Sequence, residues 1–201
     1  MCHKKISGIY AITPSKMLNL DTIEKAIVTH KISILQYRHK TTDASVKLNE
    51  AKQLQQLCLR HNTLFIINDD INLAQKIGAD GVHLGKSDAS ILTARQQLGN
   101  DAMIGVSCYN DIELAKTAQS QGADYVAFGA LFSSQTKPNA PQCPLDVITQ
   151  AKQVITIPIV CIGGIDFSNQ HQAFDAGCVA VAMINALFQS ADSPQGNKVH
   201  T

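Results

Sequence analysis

The stretch Leu64-Phe65-Ile66-Ile67-Asn68-Asp69-Asp70 changes character halfway, from an apolar run to three polar residues. A short apolar run rich in β-branched and aromatic residues reads as a strand covered on both faces. Such strands belong to parallel sheets, whose ligands gather beyond the strands' C-terminal ends. Asn68 and Asp69 therefore become candidate site residues. Asp70 stands directly before a helical pattern and reads as that helix's N-cap.

Working outward, the same alternation recurs in both directions. Toward the N-terminus, residues 6–12 and 32–37 read as strands. Residues 21–30, capped by Asp21, and 45–60 read as helices, with Ala51, Leu54 and Cys58 on one face of the second. Toward the C-terminus, helices are expected over 71–77, 89–98, 112–119, 145–154, 169–176 and 184–189. Strands are expected over 81–84, 103–107, 125–129, 159–162 and 179–182. A loose repeat supports this phasing: Gly78-Ala79-Asp80-Gly81-Val82 returns as Gly122-Ala123-Asp124-Tyr125-Val126 and again around Gly177. Each copy reads as a glycine ending a helix just before an apolar strand. Eight strands alternating strictly with eight helices predict an α/β chain folded as a (β/α)8 TIM barrel, with one domain over 1–189. An open doubly wound sheet is the competing architecture. The polar tail over 190–201 is expected to be disordered.

Composition narrows the function classes. A net charge of +1 over 201 residues gives no basis for nucleic-acid or membrane-surface binding. No apolar run approaches the roughly 20 residues that a membrane helix needs, and the N-terminal residues do not read as a signal peptide. The six cysteines are scattered without a C-x-x-C. They are expected to be buried thiols in a reducing cytoplasm.

The strand ends supply one set of polar residues. Gln36, Arg38 and Lys40 end the second strand, Asn68 and Asp69 the third, and His83 leads to Lys86 and Asp88 after the fourth. Ser107 ends the fifth strand; Ser134, Thr136 and Lys137 follow the sixth. Gly163-Gly164 and Ile184-Asn185 end the seventh and eighth. In a barrel these converge on one mouth. Cations, two carboxylates, hydroxyls and a Gly-Gly turn together suggest an anionic substrate and a metal. Arg38 and Lys40 alternate at a strand end and should face the same side. Asp69 and Asp88 suit Mg²⁺, which takes one or two carboxylates beside water and phosphate oxygens. Taken alone, Asp88 would read as the cap of a helix starting at Ala89. Gly163-Gly164, placed before a helix, would let backbone N–H groups approach a phosphate with the helix dipole behind them. His83 lies inside a strand and is expected to be structural. The pattern GxxxxGK does not occur, which excludes a P-loop.

The stretches YAIT (10–13), QYRHK (36–40), INDD (67–70), DGVHLGKSD (80–88), IGVS (104–107), GADYVAFGALFSSQTK (122–137), IPIVCIGGI (157–165) and VAMINALF (181–188) together resemble the thiamine-phosphate synthase family. The resemblance implies an enzyme that joins a pyrimidine-methyl diphosphate to a thiazole-ethyl phosphate, releasing pyrophosphate. It implies that Gln36, Arg38, Lys40, Asn68 and Lys137 hold the diphosphate beside Ser107. Arg38, Lys40, Ser107 and Lys137 would form the catalytic group. Asp69 and Asp88 would hold Mg²⁺, and Ser134, Thr136, Gly164, Ile184 and Asn185 the thiazole phosphate. The pattern departs from the family at His39, Lys86, Ser133 and Asn185, and at Tyr109, where a His is usual. His39 is expected to face away from the mouth. A related thiazole tautomerase and a precursor-binding protein without catalysis are the alternatives, and association with further copies is left open.

Overall fold

The computed structural model describes residues 5–16, 19–85, 90–133 and 141–188. Eight parallel strands close into a barrel in chain order: β1 (Gly8–Ile12), β2 (Ile32–Tyr37), β3 (Leu64–Asn68), β4 (Gly81–Leu84), β5 (Met103–Tyr109), β6 (Tyr125–Phe128), β7 (Ile159–Ile162) and β8 (Ala180–Met183), with β8 pairing to β1. Helices follow each strand: α1 (Leu20–His30), α2 (Ala44–Arg60), α3 (Ile71–Ile77), α4 (Ile91–Leu98), α5 (Ile112–Ser120), α6 (Leu145–Val154), α7 (Gln170–Ala176) and α8 (Asn185–Phe188). The architecture is the (β/α)8 barrel, and the open sheet is excluded by its closure.

Strand parity divides the core. Leu64 and Ile66 join Tyr10, Ile12, Ile34, Tyr125, Ala127, Val160, Ala180 and Ala182 inside the barrel. Phe65 and Ile67 face the other way, where Leu35, Val82, Ile104, Val126 and Val181 pack beneath the helices. Both faces of β3 are covered, which is why its sequence is continuously apolar and not alternating. The parity also aims Gln36, Asn68, His83 and Ser107 inward, because each sits an even number of residues from an inward neighbour.

Local chemistry sets the element ends. Asp70 caps α3, its Oδ1 accepting from Leu73 N at 2.9 Å, as expected. Gly78 and Gly177 end α3 and α7 at φ values of 66° and 114°, a left-handed region that costs glycine little. One expected cap is corrected. Asn19, and not Asp21, caps α1, its Oδ1 accepting from Asp21 N at 2.8 Å. Helix α4 starts at Ile91 under the Ser90 hydroxyl, two residues after the expected start at Ala89. Ser90 caps it because its Oγ can reach Thr93 N three residues on, as N-cap geometry requires.

Glycine makes room at an interior position of β5. Gly105 on β5 lies in register with His83 on β4 and Tyr125 on β6. A Cβ there would stand 2.0 Å from Tyr125 Cζ. The absent side chain lets the Tyr125 ring lie across β5 and stack on His83, with centroids 5.6 Å apart and planes 27° apart. The five cysteines among the described residues are buried and form no disulfide. The expected disordered tail lies outside the described residues.

Candidate active site

A cavity of about 510 Å³ opens at the C-terminal end of the barrel. Gln36, Arg38, Asn68 and Ser107 line it from β2, β3 and β5 and the residues just beyond them. Gly163, Gly164, Ile184 and Asn185 line it from the ends of β7 and β8. The structure thus brings together seven of the expected site residues: Gln36, Arg38, Asn68, Ser107, Gly164, Ile184 and Asn185. Ser134, Thr136, Lys137 and Asp88 lie outside the described residues, as does Lys86.

Arg38 owes its position to the first strand. Its backbone N–H donates to Thr13 Oγ1 at 2.8 Å, and Thr13 N in turn donates to the Gln36 carbonyl at 2.9 Å. Thr13 is buried, so its hydroxyl is committed to this junction. The expectation that Lys40 shares the orientation of Arg38 is corrected. β2 ends at Tyr37, so the period-two rule stops before Lys40, which is exposed and does not line the cavity. His39 does face away from the mouth. Its Nδ1 lies 2.7 Å from Glu50 Oε2 on α2, which also accepts from the Tyr37 hydroxyl at 2.7 Å.

Asp69 sits just outside the cavity lining, exposed, at φ 62°. Asn68 Nδ2 donates to its Oδ2 at 2.5 Å, and its own N–H donates to the His83 carbonyl at 2.9 Å. Tyr109, at φ 57°, lines the same mouth. Left-handed backbone at non-glycine residues costs energy and persists where surrounding bonds over-determine it. Tyr109 follows a register shift between Ser107 and Tyr109, and its carbonyl accepts from Gly129 N at 2.8 Å. The shift breaks the inward–outward alternation after Ser107 and brings Tyr109 to the mouth.

The Gly163-Gly164 turn has two independent reasons for its composition. Both residues are left-handed, at φ 101° and 62°. A Cβ on Gly163 would stand 2.4 Å from Ala130 Cα, and one on Gly164 2.5 Å from the Ser133 carbonyl oxygen. The loop after β6 lies that close because Leu131 N and Phe132 N donate to the carbonyls of Ile162 and Gly163, at 3.0 and 2.9 Å. Helix α7 begins only at Gln170, after a turn that Asp166 and Asn169 organise. Asp166 accepts from the Ser168 hydroxyl and from Ser168 and Asn169 N–H groups, which holds its carboxyl below the usual range. Asn169 Oδ1 accepts from Asp166 N, and its Nδ2 donates to the Gly164 carbonyl, both at 2.9 Å. The glycine pair is therefore held by this turn and by the β6 loop.

Strand-end reasoning missed Tyr10, which lines the cavity, and Tyr125, which is fully buried and outside the lining. The Tyr10 and Tyr125 hydroxyls lie 2.8 Å apart, and Gln36 Nε2 donates to Tyr10 at 2.8 Å. His83 bridges onward, with Nδ1 3.0 Å from Tyr125 Oη and Nε2 2.9 Å from Ser107 Oγ. Burial drives both phenols above their ordinary pKa, so both keep their protons. His83 is buried and also lines the cavity. The available signal was Gly105: a glycine within a strand marks the close approach of another group. Among the described residues, no group of three or more His, Cys, Asp or Glu could hold a metal ion, and no helix is long and apolar enough to cross a membrane.

Comparison with known proteins agrees with this geometry. A family model described as thiamine monophosphate synthase matches residues 9–187. The thiamine-phosphate synthase of Chromobacterium violaceum is 46% identical over 191 residues, covering 94% of this chain and 92% of its own. That of Methylobacillus flagellatus is 47% identical over 189 residues, covering 93% and 90%. Among solved structures, the thiamine phosphate pyrophosphorylase of Pyrococcus furiosus superposes with a TM-score of 0.83 at 28% identity, over 92% of this chain and 89% of that one. A match that spans nearly every strand and helix leaves one assignment: the chain belongs to the thiamine monophosphate synthase family.

Proposed function

We propose that this chain is a thiamine-phosphate synthase. It couples 4-amino-5-hydroxymethyl-2-methylpyrimidine diphosphate with 4-methyl-5-(2-phosphoethyl)thiazole, giving thiamine monophosphate and pyrophosphate. The observation that carries this reading is one cavity with two polar sides. Gln36, Arg38, Asn68 and Ser107 line it from one group of strands, and the Gly163-Gly164 and Ile184-Asn185 turns from another.

Arg38 holds the leaving diphosphate, its planar guanidinium matching two phosphate oxygens at once. Asn68 and Gln36 donate beside it, and Lys137 completes the cationic group. The thiazole phosphate takes backbone N–H groups of the glycine turn and the start of α8, a pairing of β7 and β8 loops common in barrels. Ser134 and Thr136 add hydroxyls to that contact. Asp69 fits a hard cation: it is an exposed carboxylate held at the mouth by a left-handed backbone. With Asp88 it would hold Mg²⁺, which needs only one or two carboxylates besides water and phosphate. When bound, Mg²⁺ would neutralise charge on the departing diphosphate. The thiazole nitrogen has a free lone pair and needs no base, so these side chains contribute charge stabilisation and positioning.

The test is to mix both precursors with the protein and Mg²⁺ and to follow thiamine monophosphate and pyrophosphate by chromatography. Both products should form in equal amounts, and chelation of the metal should stop them. No product at saturating precursors would overturn the reading in favour of precursor binding without catalysis.

A further inference from the structure

Gln36, Tyr10, Tyr125, His83 and Ser107 come from five different strands and form one unbroken line of hydrogen bonds across the barrel. The first bond sets the direction of all the others. The Gln36 amide nitrogen can only donate, so Tyr10 Oη accepts from it. The Tyr10 proton then has Tyr125 Oη, 2.8 Å away, as its acceptor. Reversing that bond would leave a buried hydroxyl proton without a partner along the line, at a cost of about 1–3 kcal/mol. Having accepted from Tyr10, Tyr125 donates onward to His83 Nδ1. Nδ1 is thus the bare nitrogen, and the ring proton lies on Nε2, which donates to Ser107 Oγ. Ser107 accepts that bond and is left to turn its own proton into the cavity it lines.

We propose that Tyr10, Tyr125 and His83 are positioning residues whose one-way hydrogen bonds make Ser107 a hydrogen-bond donor to the pyrimidine diphosphate. This rests on the synthase reading and adds to it the direction of the Ser107 contact. No proton is transferred along the line. The line selects the neutral Nε2–H tautomer of His83, and that tautomer denies Ser107 the imidazole as an acceptor. A donor already aimed at an oxygen that gains charge as the C–O bond breaks needs no reorientation during the reaction.

The experiment is nitrogen NMR of the ¹⁵N-histidine-labelled protein, with the His83 signals assigned by their loss in His83→Gln. The expected result is a neutral ring with its proton on Nε2. A ring protonated on Nδ1, or on both nitrogens, would overturn the proposal. Tyr125 does not line the cavity, so Tyr125→Phe cuts the line without touching substrate. That variant should populate the Nδ1–H form and lower kcat by roughly tenfold, the order of one lost hydrogen bond. KM for the thiazole phosphate should stay unchanged, which a general loosening of the barrel would not achieve. Unchanged tautomer with unchanged kcat would overturn the proposal. Should Tyr125→Phe fail to fold, the wild-type spectrum decides by itself. An Nε2–H ring in a protein that forms no thiamine monophosphate would overturn the diphosphate contact together with the synthase reading, whereas the wrong tautomer overturns the proposal alone.

Discussion

Arg38 stands one residue beyond the last paired position of β2, close enough to the ladder's end, and with Thr13 holding its backbone, to line the cavity. Its neighbour Lys40, two residues further, has lost both constraints and is exposed. The two cations that looked equivalent in sequence therefore differ in how firmly they are placed. A guanidinium bonding two phosphate oxygens cannot be replaced by a point charge. Arg38→Lys should lower kcat by roughly 10- to 100-fold, the order expected for one charged hydrogen bond. Lys40→Arg should retain most activity. Steady-state kinetics on both variants checks this, and full activity in Arg38→Lys would remove the bidentate contact from the account.

At the scale of the element, β5 is specified by what it lacks. Gly105 gives up a side chain so that Tyr125 can cross from β6 to His83 on β4. The strand then changes register after Ser107 and delivers Tyr109 to the mouth in a left-handed conformation. Gly105→Ala forces a methyl into the Tyr125 ring. Overpacking of this kind costs about 1–3 kcal/mol, and the melting temperature should fall by roughly 2–4 °C for each kcal/mol. The same variant should lower activity, because the ring it displaces carries the line to Ser107. Calorimetry checks the first expectation and turnover the second. The β7–α7 connection makes the opposite choice, with Asn169 holding the Gly164 carbonyl and Gly163-Gly164 fitting against the β6 loop. Here the glycines serve both the left-handed turn and the close approach.

At the scale of the molecule, closing the barrel gathers strand ends that lie far apart in the chain around one mouth. A ligand held by that mouth stabilises the whole fold, by about 2.7 kcal/mol when present at a hundred times its Kd. Pyrophosphate with Mg²⁺ should therefore raise the melting temperature, by roughly 5–10 °C at that concentration. Most of the metal-dependent part should vanish in Asp69→Asn. Asparagine tolerates the left-handed backbone that Asp69 adopts, so the substitution removes charge while sparing the fold. A melting curve with and without Mg²⁺ reads this directly. An unchanged metal-dependent shift in Asp69→Asn would remove Asp69 from the metal site.

The chain by itself determined the alternation of elements, the interior strands and the family. The reason is that each of these is written locally. The apolar run of Leu64 to Ile67, the capping Asp70 and the glycine after α3 each follow from the residues within a few positions. Much of the cavity lining was equally legible: Gln36, Asn68 and Ser107 could be read from their places at strand ends. Lys40 could not, because parity holds only while the ladder lasts and the ladder's last pair is a property of two strands. The turn between Gly163-Gly164 and α7 was not legible for a similar reason, since the side chains of Asp166 and Asn169 form it. Tyr10, Tyr125 and His83 are separated by 42 to 115 positions, and nothing local says that their polar atoms meet. Only closure of the barrel brings them together in its interior, where burial obliges each polar atom to find a partner and so decides which way the hydrogen bonds run.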